Sequence, residues 1–286
     1  MTESSHANPE NALPAVLREI MEFKREEIES AKRTEPLDAL ANKIEGADPT
    51  RDFFGALVKP NTPGTRVIAE VKRRSPSAGL IRPEYDRDCF KPDDIALQYS
   101  QSGASAISCL TDEKFFGGSL AFIYRIKQRV NLPVIRKDFI LDTYQIDQAR
   151  AYGADAVLLI AECLESKQIT ELLDRSQELD LDVLLEVHSK ANLLRVQPLI
   201  ELSDHKQVLL GINNRDLTKM VTNLNNTTDL IDLVNDPSIL VSESGIRTHE
   251  DLAHLNAHRV HIALIGEHLM RQDHPGRALE SMLQPL

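Results

Sequence analysis

The stretch Pro133-Val134-Ile135-Arg136-Lys137-Asp138-Phe139 joins a short apolar run to two cations, an acid and an aromatic ring. A strand that is buried in a parallel sheet is apolar along its length. Charged side chains at the carboxyl end of such a strand are therefore expected to face a cavity. The stretch predicts a buried parallel strand that ends at a functional site.

The same pattern recurs along the chain, where other apolar runs also end in polar or charged side chains. Eight strands are predicted, at 66–72, 106–111, 134–137, 156–161, 182–187, 208–213, 239–243 and 261–265. Amphipathic helices are predicted between them, at 93–102, 120–130, 143–152, 166–179, 190–199, 226–233 and 248–257. Strands that alternate with helices in this way are typical of a parallel α/β fold.

Eight such units predict a closed (β/α)₈ TIM barrel, a fold of about 250 residues. A doubly wound sheet is disfavoured because no Gly-x-Gly-x-x-Gly motif follows the first strand. The chain is expected to be a flexible tail at 1–10 followed by one domain at 11–286. Helices at about 11–60 precede the barrel, and they are expected to cover it as a lid or a plug.

Composition narrows the class of protein. The chain has 286 residues, 42% hydrophobic content and a formal net charge of −11, which argues against nucleic-acid and anionic-membrane partners. No apolar run approaches the roughly 20 residues that span a bilayer, and the amino terminus lacks the pattern of a signal peptide. Three widely spaced cysteines predict reduced thiols in a cytoplasmic protein. A monomer is expected, although the sequence leaves the oligomeric state open.

The strand ends carry a set of groups suited to acid–base chemistry. In a TIM barrel all strands point their carboxyl ends to one side, where the active site lies. Lysines and carboxylates that meet there can supply a general acid, a general base and an anchor for an anion. The alternative is a ring of ion pairs that only closes the barrel. The candidates are Glu70, Lys72, Lys137, Glu186, Asn213 and Glu243.

A phosphate site is predicted after the last two strands. Ser244 and Gly245 follow the seventh strand, and Gly266 and Glu267 follow the eighth. The loops at these two places form the recurrent phosphate site of TIM barrels, and glycine lets backbone amides approach the oxygens. Arg215 could add a bidentate contact.

Three further features remain open at this stage. Ser75 lies in 73–79, which is either a mobile flap over an anion or an ordinary solvated turn. Phe116 either packs against an aromatic substrate ring or is a hydrophobic residue at the barrel edge. His188, two residues past Glu186, is a better functional candidate than the other histidines, although an exposed loop histidine is the favoured interpretation. No metal or cofactor is predicted, because the histidines lack metal-site spacing.

Taken together, these residues identify a family resemblance. The chain resembles indole-3-glycerol phosphate synthase over nearly its whole length, from the helix near Leu13 to Met270. No single motif decides this, but their joint order is specific. The motifs are IAEVKRRSPS at 68–77, LTDEKFFGGS at 110–119, RKDFI at 136–140, LEVH at 185–188, GINNRDL at 211–217 and VSESGI at 241–246.

The resemblance implies the substrate 1-(2-carboxyphenylamino)-1-deoxyribulose 5-phosphate and a reaction that closes a ring and releases carbon dioxide and water. By resemblance, Lys137 is the general acid and Glu186 the general base for dehydration. Lys72 holds the substrate carboxylate and is a second candidate proton donor. The resemblance implies orienting roles for Glu70, Asn213 and Glu243, and substrate or phosphate contacts for Arg215, Ser244, Gly245 and Gly266.

The chain departs from the family pattern at two places. The connection at 86–94 is longer than usual, which puts the dynamics of the preceding loop in doubt. Glu267 stands where some members carry a small hydroxyl residue. A phosphate contact there is expected to use the backbone N–H, with the carboxylate turned away.

Two rival readings remain. The first is another phosphosugar barrel enzyme, such as one resembling phosphoribosylanthranilate isomerase, which often has a cysteine after the first strand, where this chain has Lys72. The second is a non-catalytic phosphosugar-binding barrel. Such a barrel is expected to lose its proton donors and acceptors, whereas Lys137 and Glu186 are both present.

Overall fold

The computed structural model describes residues 13–58, 64–86, 89–202, 205, 207–216 and 221–284. The predicted tail at 1–10 lies outside the described residues. The strands are β1 (Arg66–Val71), β2 (Arg74–Ser75), β3 (Gly79–Leu80), β4 (Ala106–Leu110), β5 (Val134–Lys137), β6 (Ala156–Ile160), β7 (Asp182–Val187), β8 (Val208–Asn213), β9 (Arg215–Asp216), β10 (Val221–Thr222), β11 (Leu240–Glu243) and β12 (Ile262–Ile265).

Eight of these strands close a parallel barrel. Around the ring the order is β1, β4, β5, β6, β7, β8, β11 and β12, and β12 pairs with β1 again. Ile68 lies opposite Leu264 on one side and Ala106 on the other. The predicted TIM barrel is confirmed, and each of its eight predicted strands ends within one residue of the observed bounds. The two remaining pairs, β2–β3 and β9–β10, are short antiparallel hairpins.

Helices lie before, between and after the barrel strands. Their bounds are α1 (Ala15–Thr34), α2 (Leu37–Glu45), α3 (Phe53–Leu57), α4 (Pro92–Gln101), α5 (Glu113–Phe116), α6 (Leu120–Lys127), α7 (Thr143–Ala151), α8 (Ser166–Glu178), α9 (Lys190–Leu202), α10 (Asn225–Leu230), α11 (His249–Ala257), α12 (Glu267–Met270) and α13 (Pro275–Leu283). The predicted helices between the strands are confirmed. The last part of the one predicted at 226–233 is a 3₁₀ turn, Ile231–Leu233, and the predictions did not include α5 and α13.

Local sequence explains where several helices begin. Asp142 and Thr248 each form a capping box, in which the cap side chain and the third helical residue satisfy each other's backbone N–H groups. Asp52 caps α3 and Asp112 caps α5 through their carboxylates. No helix in the described ranges is long and apolar enough to cross a membrane.

The segment before the barrel covers both of its ends. Helix α1 lies over the carboxyl end, where Leu17 is buried and helps to line the central cavity. At the amino end, the backbone N–H of Arg51 donates to Asp155 at 2.7 Å, and that of Phe54 donates to Asp182 at 2.7 Å. The expectation that the amino-terminal helices cover the barrel is confirmed.

Helix α1 is attached to the barrel by a buried lysine. Lys24 is fully buried, and its Nζ lies 2.9 Å from both Asp112 and Asp138 and 3.0 Å from Glu27. Burial opposes the charge, but Asp138 and Asp112 outweigh it and raise the pKa of Lys24. Asp138 also accepts from Arg136 at 3.0 Å. The cover of the barrel is therefore joined to the residue that directly follows Lys137.

Replacing Lys24 with methionine should destabilise the fold strongly. The change leaves the buried Asp112 carboxylate without its cation and Asp138 with Arg136 alone, which costs about 3–5 kcal/mol. Lys32→Met is the matched control, because Lys32 lies on the same helix and its pair with Asp142, at 2.8 Å, is partly exposed. It should cost about 0–1 kcal/mol. Urea unfolding measures both free energies, and equal losses would contradict the buried anchor.

Candidate active site

The predicted site residues meet in one cavity at the carboxyl end of the barrel. This central cavity has a volume of about 440 Å³. It is bounded by the strand ends on one side and by α1 on the other. All the predicted catalytic and substrate-binding residues line it: Glu70, Lys72, Ser75, Phe116, Lys137, Glu186, Asn213, Arg215, Glu243, Ser244, Gly245, Gly266 and Glu267.

Lys137 ends β5 and points between two carboxylates. Its Nζ lies 3.4 Å from Glu186 Oε2 and 3.9 Å from Glu243 Oε2. Burial opposes the positive charge, but Glu186, Glu243 and Glu70 outweigh it and raise the pKa of Lys137. The lysine is therefore an ammonium at any physiological pH, ready to donate a proton.

Glu186 and Glu243 form a coupled pair of buried carboxyl groups. Burial favours the neutral form of each, and two adjacent carboxylates cannot both ionise at little cost. Lys137 and His188 lower the pKa of Glu186, while burial and Glu186 raise the pKa of Glu243. Asn213 Nδ2 donates to Glu186 Oε1 at 3.2 Å. These opposite shifts favour a proton on Glu243 and an ionised Glu186.

Glu70 and Lys72 form a second charged pair on β1 and the residue beyond it. Lys72 Nζ donates to Glu70 Oε1 at 2.5 Å. Burial opposes ionisation of Glu70, but Lys72 and Lys137 outweigh it and lower its pKa. Gly266 leaves room for this carboxylate, because a Cβ there would lie 2.2 Å from Glu70 Oε1. This packing role of Gly266 is additional to the predicted substrate contact.

The predicted phosphate residues form the other end of the cavity. Ser244 and Gly245 both have left-handed backbone conformations, with φ of 67° and 84°. A non-glycine residue rarely adopts this conformation, so Ser244 is strained at a functional position. Arg215 lies beside this loop, and its NH2 is 3.4 Å from Glu267 Oε2.

Two features of this end differ from the sequence predictions. Arg247 and Arg271 also line the cavity and were not predicted. The Glu267 carboxylate was expected to turn away, but it lines the cavity and pairs with Arg215 and, at 2.8 Å, with Arg271. Arg215 and Arg271 compensate the negative charge that this carboxylate brings to the cavity.

The opposite side of the cavity is apolar. The rings of Phe116 and Phe139 lie 6.2 Å apart, and Leu110 and Ile160 are adjacent in the lining. Helix α1 completes this side with Val16, Leu17 and Ile20. The sequence singled out Phe116 alone, since amphipathic spacing in α1 shows that a face is buried without showing what covers it.

The loop after β1 is a short hairpin rather than an open turn. Its strands are β2 and β3, and Ser75 at the end of β2 is 2% exposed. Ser75 Oγ accepts from the backbone N–H of Ala78 at 3.2 Å. Ser75, Pro76 and Ser77 line the central cavity, but Pro76 and Ser77 are also exposed to solvent, so the solvated-turn alternative is wrong for Ser75 alone.

His188 is the clearest difference from expectation. It was predicted to be an exposed loop histidine, but its side chain is only 9% exposed. Its Nδ1 lies 3.0 Å from Glu162 Oε2, and its Nε2 lies 3.3 Å from Glu186 Oε1. The exposed-loop prediction failed because a carboxylate 26 residues earlier in the chain holds the ring inward.

The histidines and acids of the described ranges form no cluster of three or more that could hold a metal ion. What the cavity offers is proton transfer by lysine and carboxylate, with cations at one end and an apolar surface at the other. Such a site suits an anionic substrate that carries an aromatic ring.

Comparison with known proteins identifies the family. The model of the indole-3-glycerol phosphate synthase family matches residues 17–282. Indole-3-glycerol phosphate synthases of Burkholderia multivorans and Polaromonas naphthalenivorans are each 42% identical over 268 residues, which cover 93% of this chain and 98% of each relative.

Solved structures agree on the fold alone. A 3-hexulose-6-phosphate synthase superposes with a TM-score of 0.59 at 13% identity, covering 76% of this chain and 97% of that one. A thiamine phosphate pyrophosphorylase from Pyrococcus furiosus gives a TM-score of 0.53 at 16% identity, covering 76% and 93%. With the family match over residues 17–282, the chain belongs to the indole-3-glycerol phosphate synthases, the carboxy-lyases that act on a phosphorylated substrate in tryptophan biosynthesis.

Proposed function

We propose that the residues of the central cavity divide the proton transfers of indole formation among themselves, with Lys137 as the acid and Glu186 as the base. One observation carries this assignment: Lys137 Nζ lies 3.4 Å from Glu186 and 3.9 Å from Glu243, two buried carboxyl groups whose pKa values are shifted in opposite directions. The substrate is 1-(2-carboxyphenylamino)-1-deoxyribulose 5-phosphate, whose phosphate and aromatic ring match the two ends of the cavity.

The phosphate binds at the end formed by Ser244, Gly245, Gly266 and Arg215. Glu267 leaves this end when phosphate arrives or shares Arg215 with it, because the carboxylate and the phosphate compete for the same guanidinium. The aromatic ring lies against Phe116 and the apolar face of α1. Ser75 closes the cavity from the β2–β3 hairpin.

Ring closure comes first. The aromatic carbon attacks the ketone, and Lys137 gives a proton to the oxygen as negative charge develops there. An alkoxide is far more basic than an amine, so this transfer is favourable even from a lysine with a raised pKa. Lys72 holds the substrate carboxylate until it departs as carbon dioxide, and Glu70 keeps that lysine in place.

Dehydration follows, and it needs a base. Glu186 removes the proton from the ring carbon while an acid, assigned to Lys72, protonates the leaving hydroxyl. The ammonium of Lys137 lowers the pKa of Glu186 before the reaction. Once Lys137 has given up its proton this effect is lost, so Glu186 becomes a stronger base when it is needed. Asn213 keeps the Glu186 carboxylate oriented, and Glu243 holds its proton beside the pair.

The proposal extends to how the chain works as a whole. Residues 11–286 act as one domain, because the described core includes Leu17 and Met21 of α1 together with the barrel strands. The enzyme works in the cytoplasm on a small molecule and without a nucleic-acid partner, in line with its three free cysteines and its net charge of −11. It acts as a monomer, since one chain supplies the described lining of the central cavity.

Purified enzyme should convert the carboxyphenylamino substrate to an indole. Product fluorescence reports this directly, because the chain contains no tryptophan. Phosphoribosylanthranilate, the substrate of the rival isomerase, is the control and should not be consumed. Folded enzyme that forms no indole would contradict the proposal, and consumption of the control substrate would favour the rival.

Lys137→Ala should abolish turnover while substrate still binds. General acid catalysis contributes about 10²- to 10⁴-fold, and kcat should fall by that amount with the substrate Kd little changed. Lys167→Ala is the control, since this lysine on α8 is exposed and pairs only weakly with Glu171 at 3.5 Å. Wild-type rates in Lys137→Ala would refute the acid assignment.

Glu186→Gln should stop the reaction after ring closure. The amide keeps the shape of the side chain but cannot take up the proton. Rapid quenching and mass spectrometry should find a species that has lost carbon dioxide and kept its water. Glu267→Gln, at the phosphate end, should change KM without accumulating this species. Normal indole release from Glu186→Gln would count against its role as base.

A further inference from the structure

The imidazole of His188 lies between two carboxylates. Its Nδ1 is 3.0 Å from Glu162 Oε2 on the outer side, and its Nε2 is 3.3 Å from Glu186 Oε1 on the inner side. The inner contact lacks the alignment of a hydrogen bond, so Nε2 is buried without a hydrogen-bond partner in the described part of the chain. None of the proton transfers assigned above uses this ring.

The Glu162 carboxylate is fixed by hydrogen bonds and holds the imidazole ring of His188. Its Oε1 accepts the backbone N–H of His188 at 2.8 Å and the side-chain amide of Asn192 at 2.8 Å. Its Oε2 is left for His188 Nδ1. Glu162 follows β6 in the 3₁₀ turn Ala161–Cys163. A carboxylate fixed by two donors cannot turn away, so it fixes both the position and the Nδ1–H of the ring.

The charged groups that face the ring favour its charged form. They are Glu186 on its own strand, Glu162 from the turn after β6, and Lys137 from β5. Arg195 of α9 lies beyond them and interacts with Glu162. Burial and Lys137 oppose the imidazolium, but Glu162 and Glu186 outweigh them and raise the pKa of His188.

An additional interaction is needed to decide which of the two buried carboxyl groups, Glu186 or Glu243, is ionised. Both carboxyl groups are buried, and both lie within 4 Å of the same lysine, at 3.4 and 3.9 Å. The two carboxyl groups differ in the residues that lie beside them on the side away from Lys137. Glu186 has Asn213 and His188 beside it, whereas both Glu243 oxygens are buried without a hydrogen-bond donor among the described residues. An amide orients a carboxylate, but only the imidazole adds a charge.

We propose that His188, held as an imidazolium by Glu162, is the positioning residue that makes Glu186 the ionised member of the buried pair and leaves the proton on Glu243. His188 acts through Glu186 and touches no reacting atom. It decides which carboxylate is the base before the substrate arrives. This inference rests on the proposed role of Glu186.

The sign of the effect follows from electrostatics. Without the imidazolium, the pKa of Glu186 rises, since an opposite charge within about 4–6 Å lowers a carboxyl pKa by about 1 to 3 pH units. The proton of the pair then spends part of its time on Glu186, and the base is partly blocked. Raising the pH removes that proton and restores the base. The loss of rate should therefore be large at low pH and small at high pH.

Single-turnover dehydration, measured from pH 6 to pH 9, tests this in His188→Asn and Glu162→Gln. Asparagine can still donate to Glu162, and glutamine keeps the shape of Glu162 but cannot hold the imidazolium. Each variant should be slower than wild type at pH 6, by up to about tenfold for each unit by which the pKa difference between Glu186 and Glu243 shrinks, and should approach wild type by pH 9. Substrate Kd should not change in Glu162→Gln, because Glu162 lines a separate outer cavity of about 1010 Å³, whereas His188 also lines the central one.

The double variant supplies the decisive comparison. Both substitutions remove the same charge, so the double variant should be no slower than the slower single variant. His258→Asn, at an exposed helix end, is the control for the histidine change and should follow wild type at every pH. If His188→Asn does not fold, Glu162→Gln alone still gives the pH profile.

Three results would overturn the inference: wild-type rates in both single variants, a loss that is the same at every pH, or losses that multiply in the double variant. The outcome is separable from that of the proposed function. If Glu186→Gln stalls the reaction while His188→Asn shows no pH-dependent loss, the base assignment stands and only the role of His188 fails. If Glu186→Gln releases indole normally, the base assignment itself is wrong.

Discussion

A lysine ammonium enclosed at the end of a barrel imposes the charge balance on which the rest of the site depends. Lys137 can stay charged there only because Glu186, Glu243 and Glu70 surround it. These carboxylates repel one another, so one of them has to keep its proton. The proposed division into acid, base and protonated neighbour is thus a consequence of enclosing this set of charges, and the pKa of each group depends on the state of the others.

The barrel supplies this arrangement through strand register and small residues. Parallel pairing places Glu243 opposite Asn213 on β8, and Glu186 opposite Gly211. Gly211 has no side chain because a Cβ would lie 2.2 Å from Glu243 Oε1. Gly266 does the same for Glu70. Glu243 and Glu70 therefore each project into a space that a glycine on a neighbouring element leaves open, and the backbone of the barrel sets the distances between the charges.

The sequence predicted those parts of the molecule that have a local signal. The barrel strands are apolar runs, and the residues proposed for proton transfer are charges at the ends of those runs, so the strands and the position of these residues in one cavity could be predicted from the chain. The burial of Lys24 and of His188 could not be predicted in this way. A lysine in an amphipathic helix is expected to be solvent-exposed. The sequence does not show that Lys24 contacts Asp112 and Asp138, which lie about ninety residues or more further along the chain. The burial of His188 likewise depends on Glu162, and pairing between distant segments has no periodicity to reveal it.

Helix α1 and the barrel strands contribute different parts of the central cavity. The groups proposed as acid and base lie on the barrel strands, whereas Val16, Leu17 and Ile20 shape the apolar side from a segment that precedes the first strand. A protein engineer could thus recombine or redesign that segment to accept a differently substituted ring without altering a strand. The buried Lys24 defines the limit of such a graft, since any replacement helix has to bring a cation to Asp112 and Asp138. Substrate range and reaction chemistry are, in this sense, separately evolvable.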